Sequence, residues 1–366
     1  MSGKMKIAVL YTGGTIGCEG SPLAPVSGEL FRKRVYALPC FRNGCIRCSE
    51  GDIAFCIEWT TNPVDSSDLM PLDWVAIASW VLERYTCYDG FVILHGTDTM
   101  SWSASALSFL LQGLSKPVVF TGSQLPLASG RSDAVQNLLT AIMFAANFRI
   151  SEVTLFFDHL LLRGNRSVKV DSRSFNAFLS PNYPVLGSAG IDLTVNSTVF
   201  LNPPGGSVSL DEQRNRALRK IEFSELRQAL PEYSVIALTL FPGIQAGIVD
   251  ALLTLSPSLK GIVLKSFGSG NAPASSGFID ALARASDKGV VIVDATQVLS
   301  GRVQMKRYET GYQLQRKVHA VCGHDLTAEA TLAKLICLTG RAMIDGSGRE
   351  AVERGIETVL CGEMTL

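Results

Sequence analysis

Short apolar, β-rich runs alternate along the chain with stretches of helical periodicity. Lys6–Tyr11 (KIAVLY), Gly90–His95 (GFVILH), Pro117–Thr121 (PVVFT) and Val153–Phe157 read as buried strands, and Ile53–Trp59 as another. Leu72–Tyr85, Ser101–Leu114 and Asp133–Ala145 between them read as helices. The last carries Val135, Leu138, Leu139 and Ile142 at helical spacing, with Ser132 as its N-cap. Strand–helix alternation of this kind predicts a mainly parallel sheet covered on both faces.

A second set begins near Ser234. Val235–Leu240, Gly261–Ser266 and Val290–Asp294 read as strands, and Ile244–Leu255, Ser276–Lys288 and Leu326–Leu338 as helices. Pro203-Pro204-Gly205-Gly206, followed by the charged stretch Asp211–Lys220, marks a linker with room for a solvated helix. The predicted fold class is therefore α/β, with two domains built on mainly parallel open sheets flanked by helices. The N-terminal domain takes 1–200, the linker 201–232 and the C-terminal domain 233–366. The length of 366 residues suits two domains at about 150 residues each.

Composition narrows the partners. Thirty-three Lys and Arg balance 33 Asp and Glu, so no basic field is expected to hold nucleic acid or an anionic membrane surface. A small-molecule substrate is expected instead. The N-terminus lacks the apolar core of a signal peptide, about 7–15 residues, and no apolar run approaches the ~18 residues of a membrane helix. A cytoplasmic location is expected, with the nine cysteines mostly reduced. Cys40, Cys45, Cys48 and Cys56 could close a tetrahedral zinc site, and Cys45-x-x-Cys48 has ligand spacing. Cys56, however, falls in a predicted strand and no second Cys-x-x-Cys pair follows, so free thiols are the default.

In open parallel sheets ligands sit at the carboxyl ends of the strands. Four polar groups fall there. Tyr11-Thr12-Gly13-Gly14-Thr15 follows the first strand; it lacks a Walker or dinucleotide pattern and reads as a tight turn or as the seat of a nucleophilic hydroxyl. Asp65-Ser66-Ser67-Asp68 reads as a turn and helix cap. His95-Gly96-Thr97-Asp98-Thr99 runs into a helix that Asp98 or Thr99 could cap, and His95 reads as a hydrogen-bonded core histidine rather than a general base. Arg163-Gly164-Asn165-Arg166-Ser167-Val168-Lys169, taken alone, reads as a solvated basic loop. The four are not independent, because all lie at or beyond strand ends of one domain.

Tyr11–Thr15 (YTGGT), His95–Thr99 (HGTDT), Thr121–Gln124 (TGSQ), Arg163–Arg166 (RGNR), Asp65–Asp68 (DSSD) and Ser266–Pro273 (SFGSGNAP) together closely resemble the asparaginase family. The cytosolic type I branch is the most similar. The resemblance spans nearly the whole chain and thins at Leu38–Asp52 and Leu201–Leu230. It implies hydrolysis of the side-chain amide of L-asparagine to a carboxylate and ammonia, without metal or cofactor. Thr15 is then the nucleophile, giving an acyl-enzyme, and Thr97, Asp98 and Lys169 form a second catalytic group. Lys169 against Asp98 either eases deprotonation of Thr97 or protonates the leaving amine. The Gly14 and Gly96 neighbourhoods and the Thr97 N–H are candidate oxyanion donors, each worth ~3 kcal/mol in such sites. Asp65, with Ser66 and Ser67, matches the binding of the substrate α-amino and α-carboxylate groups. Asn271 matches a position that reaches a neighbouring subunit's site, implying a homodimer or homotetramer.

The resemblance breaks in two places. Many members carry a mobile tyrosine on the loop after the nucleophile strand, where this chain has Leu23. Tyr308 is the best replacement, with a packed structural tyrosine as the alternative, and Glu19 is a further candidate proton acceptor. An allosteric asparagine pocket of type I members is represented by Val168, Lys265 and Val298, which lack its hydrogen-bonding pattern, so that site is expected to be weak or absent. Two rivals to the enzyme remain. An amidotransferase-type amidase subunit would carry an extra N-terminal domain, and a silent asparagine-binding regulator would fit Leu23.

Overall fold

The computed structural model describes residues 4–48, 51–274 and 277–366. The chain divides into two compact units, Met1–Lys220 and Ile221–Leu366.

The first unit is built on a nine-stranded sheet. Its parallel centre runs Ile53–Val64, Met5–Gly13, Gly90–Leu94, Val118–Thr121 and Val153–Phe157. Antiparallel strands extend both edges: Cys45–Ile46 on one side, and Leu160–Arg163, Gly187–Ala189 and Leu193–Val195 on the other. Every residue of Gly90–Leu94 and Val118–Thr121 is buried, because helices cover both faces. On one face Ile7, Val9 and Tyr11 pack with Phe31, Val35, Leu138 and Ile142 in a single core. Burial of each such side chain is worth about 1.5–3 kcal/mol.

The predicted helices appear as Pro71–Arg84, Met100–Leu110 and Ala134–Asn147. The second ends four residues earlier than the sequence suggested, in a turn containing Gly113 at φ +96°. The third is capped differently: Asp133 holds the cap position, while the Ser132 hydroxyl accepts from the Ala134 N–H at 3.1 Å. The Asp133 carboxylate is occupied by the Gln124 and Leu125 N–H groups. The sequence pattern gave no sign of Gly28–Ala37, whose exposed face is mostly charged.

The second unit holds a four-stranded, fully parallel sheet ordered Ser234–Thr239, Leu259–Ser266, Val291–Thr296, Val321–Cys322. Helices Ala246–Leu255, Phe278–Asp287 and Ala328–Asp345 match the periodicity, although Ser276, where the second was expected to begin, lies outside the described residues. Glu309–Val318 and Gly348–Glu357 are additional helices whose polar composition concealed them. The 201–232 stretch, expected as a linker, contains the 17-residue helix Gln213–Ala229, within which the division between units falls. Only Phe223 and Leu226 of that helix are buried. Among the described residues no helix is long and apolar enough to cross a membrane.

Candidate active site

Three loops at the carboxyl ends of neighbouring parallel strands meet backbone to backbone. Gly13, at φ +115°, leaves no room for a side chain: a Cβ there would lie 2.1 Å from the Val64 carbonyl oxygen. Gly14, at φ +77°, would place a Cβ 2.3 Å from the Gly96 Cα, and Gly96 would place one 2.5 Å from the Ser66 Oγ. Gly13 and Gly14 are thus required by contact and by backbone conformation together, and Gly96 by contact alone. These contacts bring Thr15, the Asp65–Asp68 turn and the Gly96–Asp98 turn to one place.

The Thr97 hydroxyl is fully engaged. Lys169 Nζ donates to Thr97 Oγ1 at 2.8 Å and to Asp98 Oδ1 at 2.7 Å. Thr97 Oγ1 in turn points at Gln124 Oε1, 3.4 Å away. Gln124 Nε2 donates to the Asp171 and Ser174 carbonyls, which orients its oxygen toward Thr97. Gln124 ends the Thr121–Gln124 motif, whose sequence alone assigns it no role. Its amide is the piece that ties the Thr97 turn to the 171–174 turn.

Thr15, by contrast, is half-buried at the start of a 3-10 turn, and its hydroxyl has no hydrogen-bond partner among the described residues. Beneath it Tyr11 is buried, stacked on Phe31 at 4.1 Å, and donates to the Val26 carbonyl at 3.3 Å. Burial pushes its phenol well above the usual range, so it stays neutral. The chain then folds into a short hairpin pairing Cys18–Glu19 with Ala24–Pro25. Leu23 sits on that hairpin, 57 % exposed. Glu19, a candidate proton acceptor, is instead bound by Arg34 through both guanidinium nitrogens, at 2.7 Å for the Nη2–Oε2 contact. A carboxylate held in that fork is a poor base.

Asp65 is the N-cap of the 3-10 turn Ser66–Asp68. Its Oδ1 accepts the Ser67 N–H at 2.9 Å and the Ser67 hydroxyl at 2.8 Å. Ser67 therefore braces Asp65, and the second carboxylate oxygen has no hydrogen bond among the described residues. Ser66 is buried, and its carbonyl accepts the Thr99 hydroxyl at 2.7 Å, locking the turn to the Gly96–Asp98 loop. Of the candidate oxyanion donors, the Gly14 N–H is already given to the Val64 carbonyl at 3.0 Å. The Gly96 and Thr97 N–H groups have no hydrogen-bond partner among the described residues.

His95 is fully buried, and its Nδ1–H donates to the Gly96 carbonyl at 2.7 Å. Burial lowers its pKa to about 4, which makes it a neutral brace under the Gly96 turn. The Arg163–Lys169 segment departs from the solvated loop its charges suggested. Arg163, Asn165 and Arg166 are buried, Arg163 pairs with the equally buried Glu152, and both guanidinium groups lie over the Tyr183 ring at 4.3 and 5.0 Å. This rigid base delivers Lys169, whose strand Val168–Lys169 pairs with Phe178–Leu179.

Asn271 and Tyr308 belong to the second unit. Asn271 Oδ1 accepts the Thr310 hydroxyl at 2.9 Å, and Asn271 closes the turn after Leu259–Ser266 by pairing with Phe267. Tyr308 is 50 % exposed at the N-cap of Glu309–Val318, so it is not a packed core tyrosine. All nine cysteines are free thiols, and Cys45 Sγ lies 3.1 Å from Lys4 Nζ. Among the described residues no three His, Cys, Asp or Glu side chains converge as a metal-binding group.

A family model described as "Asparaginase, N-terminal" matches residues 6–200, and one described as "Glutaminase/Asparaginase C-terminal domain" matches 234–352. The chain is 42 % identical to L-asparaginase 1 of Escherichia coli strain K12, with 99 % of this chain and 98 % of the relative covered. It is 37 % identical to a 60 kDa lysophospholipase of Mus musculus, spanning 64 % of that protein's length and all of its own. The crystal structure of L-asparaginase I from Vibrio cholerae superposes with a TM-score of 0.80 at 38 % identity, covering 99 % of this chain and 100 % of that one. The chain belongs to the asparaginase family.

Proposed function

We propose that the protein is an L-asparaginase that hydrolyses L-asparagine to L-aspartate and ammonia, with Thr15 as nucleophile and an acyl-enzyme intermediate. The observation that carries this reading is the pair of hydrogen bonds from Lys169 to Thr97 and Asp98, set beside a Thr15 hydroxyl with no partner. Asp65 takes the substrate ammonium through its free oxygen, and the Ser66–Ser67 turn takes the α-carboxylate. The side-chain amide then lies between Thr15 and Thr97.

Thr15 Oγ attacks the amide carbon and gives up its proton, and the oxyanion is received by the Gly96 and Thr97 N–H groups. Collapse of the tetrahedral intermediate breaks the C–N bond. The leaving nitrogen collects the proton it needs through Thr97, whose oxygen is recharged by the adjacent Lys169 ammonium. Water, deprotonated by the same Thr97–Lys169 group, opens the ester and restores Thr15. Asp98 holds Lys169 in position throughout. With Glu19 bound to Arg34 and Leu23 in place of a phenol, Tyr308 is the candidate relay for the Thr15 proton: its phenol takes that proton only as it passes its own on, and the proton ends on the departing nitrogen, which leaves as ammonium.

No step requires a metal or cofactor. We further place the enzyme in the cytoplasm as a homodimer or homotetramer in which Asn271 completes a neighbouring subunit's site. Nucleic acid and membranes are not assigned as partners of this charge-neutral chain. The test is ammonia release from L-asparagine, with L-glutamine and a lysophospholipid as competing substrates. Rapid turnover of asparagine supports the reading. Asparagine binding without turnover would favour the regulatory alternative, and hydrolysis confined to the lysophospholipid would overturn the substrate assignment.

A further inference from the structure

Six cations of the second unit stand in ion pairs among the described residues. Arg284 meets Asp250 at 2.8 Å, Arg341 meets Glu222 at 2.8 Å and Arg349 meets Glu353 at 2.6 Å. Even the fully buried Lys334 has Glu363 at 2.6 Å. Lys260, Lys265, Lys288 and Arg316 have no ion pair among the described residues, and neither do Arg302, Lys306 and Arg307, which differ in lying together. These three cations within six positions of one another have no carboxylate at ion-pair distance among the described residues. All three line one cavity of about 510 Å³, where Glu357 is the single carboxylate.

The rest of the lining adds donors rather than negative charge. Arg302 Nη2 lies 3.1 Å from His324 Nδ1. A guanidinium cannot accept, so Nδ1 is the acceptor and the imidazole keeps its proton on Nε2. Burial, and then the adjacent guanidinium, hold His324 below its ordinary pKa. Burial pushes the Cys322 thiol up, so it contributes no anion. The frame is fixed by backbone bonds: Val303 N–H to the His324 carbonyl at 2.8 Å, and Gln304 N–H to the Ser269 carbonyl at 2.8 Å. Lys306 spends its ammonium on no hydrogen bond among the described residues. Three like charges on one concave wall repel each other, and an anion between them removes that cost.

We propose that this cavity binds a small polyanion carrying at least two negative charges, a phosphate ester or a polycarboxylate, between Arg302, Lys306 and Arg307. The volume suits a molecule larger than one phosphate, since small-molecule sites run to about 300–1,000 Å³. The site lies within the second unit, and Arg307 at its rim also lies over the Tyr308 ring at 5.6 Å.

The test is isothermal titration of the full-length protein with pyrophosphate and with citrate, at low and at physiological salt. One saturable site per chain is expected for at least one of the two. Tighter pyrophosphate assigns a phosphate ester, and tighter citrate a polycarboxylate. Lys306→Gln, which breaks no structural bond, should weaken binding about tenfold, whereas Lys288→Gln on the same unit's exposed surface should leave it unchanged. No saturable binding of either probe would overturn the proposal. So would equal binding by wild type and Lys306→Gln, or an equal loss in Lys288→Gln.

Discussion

The two threonines of the site sit on equivalent loops and are held in opposite ways. Thr97 is almost fully buried at 5 % exposure and fixed by Lys169 and Gln124, while Thr15 is half-buried with its hydroxyl unbonded. A hydroxyl whose partners are already in place is organised to move protons. One without a protein partner keeps its lone pairs for an incoming electrophile. The difference fits the proposed mechanism, in which the first relays protons and the second attacks.

The sharpest way to break that comparison is substitution at each. Thr15→Ala should reduce kcat for asparagine by at least about a thousandfold with little change in binding. Lys169→Met should lower kcat by about 10²–10⁴-fold, the range of general acid–base catalysis. Thr15→Ser, which keeps a nucleophilic hydroxyl, should retain activity that Thr15→Ala loses. A Thr15→Ala enzyme turning over at near wild-type rate would dissolve the comparison altogether.

Next in size is the contact that brings the loops together. Gly14→Ala must adopt a positive φ and push into the Gly96 Cα. It should cost about 2 kcal/mol or more, lowering the melting temperature by on the order of 5 °C. Calorimetry beside the ammonia assay separates the two effects, since activity should fall further than stability alone explains.

The units also differ in the titratable groups they bury. His95 in the first has its folded pKa lowered to about 4, so between there and its unfolded value near 6.5 the unfolded chain binds more protons, and its contribution to stability is lost as pH falls. Asp294 in the second is fully buried with neither carboxylate oxygen hydrogen-bonded, and burial raises its pKa to about 7. The folded state then binds more protons above pH 4, and stability from this group is lost as pH rises through 7, at up to about 1.4 kcal/mol per pH unit. Asp294→Asn should therefore melt higher than wild type at pH 8 and show a smaller difference at pH 5. The same gap at both pH values would refute a buried ionisation.

The smallest effect is expected at Glu19. Its pair with Arg34 is partly exposed, at 35 % and 36 % of the side chains, and such pairs are worth at most about 1 kcal/mol. Glu19→Gln should keep kcat within about threefold of wild type. A larger fall would restore Glu19 as a base.

The buried strands and their covering helices were legible because an all-apolar run such as Gly90–Leu94 has no other place in a folded chain. Gly28–Ala37 and Glu309–Val318 were not, since each buries few residues and is otherwise charged. The Arg163–Arg166 segment misled for a related reason: its charges suggested solvent, while the partner that buries Arg163 is Glu152, eleven residues away. Thr15, Thr97, Asp98 and Lys169 stood out as motifs. The engagement of Gln124 with Thr97, the occupation of the Gly14 N–H and the capture of Glu19 by Arg34 are three-dimensional pairings that spacing along the chain does not encode.

The assignment of attack to Thr15 and relay to Thr97 is tested most directly by acid-quenching wild-type enzyme during turnover of L-asparagine and mapping the acyl adduct by peptide mass spectrometry. The account predicts an aspartyl ester on the peptide containing Thr15, accumulating further in Lys169→Met. An adduct on Thr97, or a single turnover of ammonia with no adduct on either threonine, would contradict it.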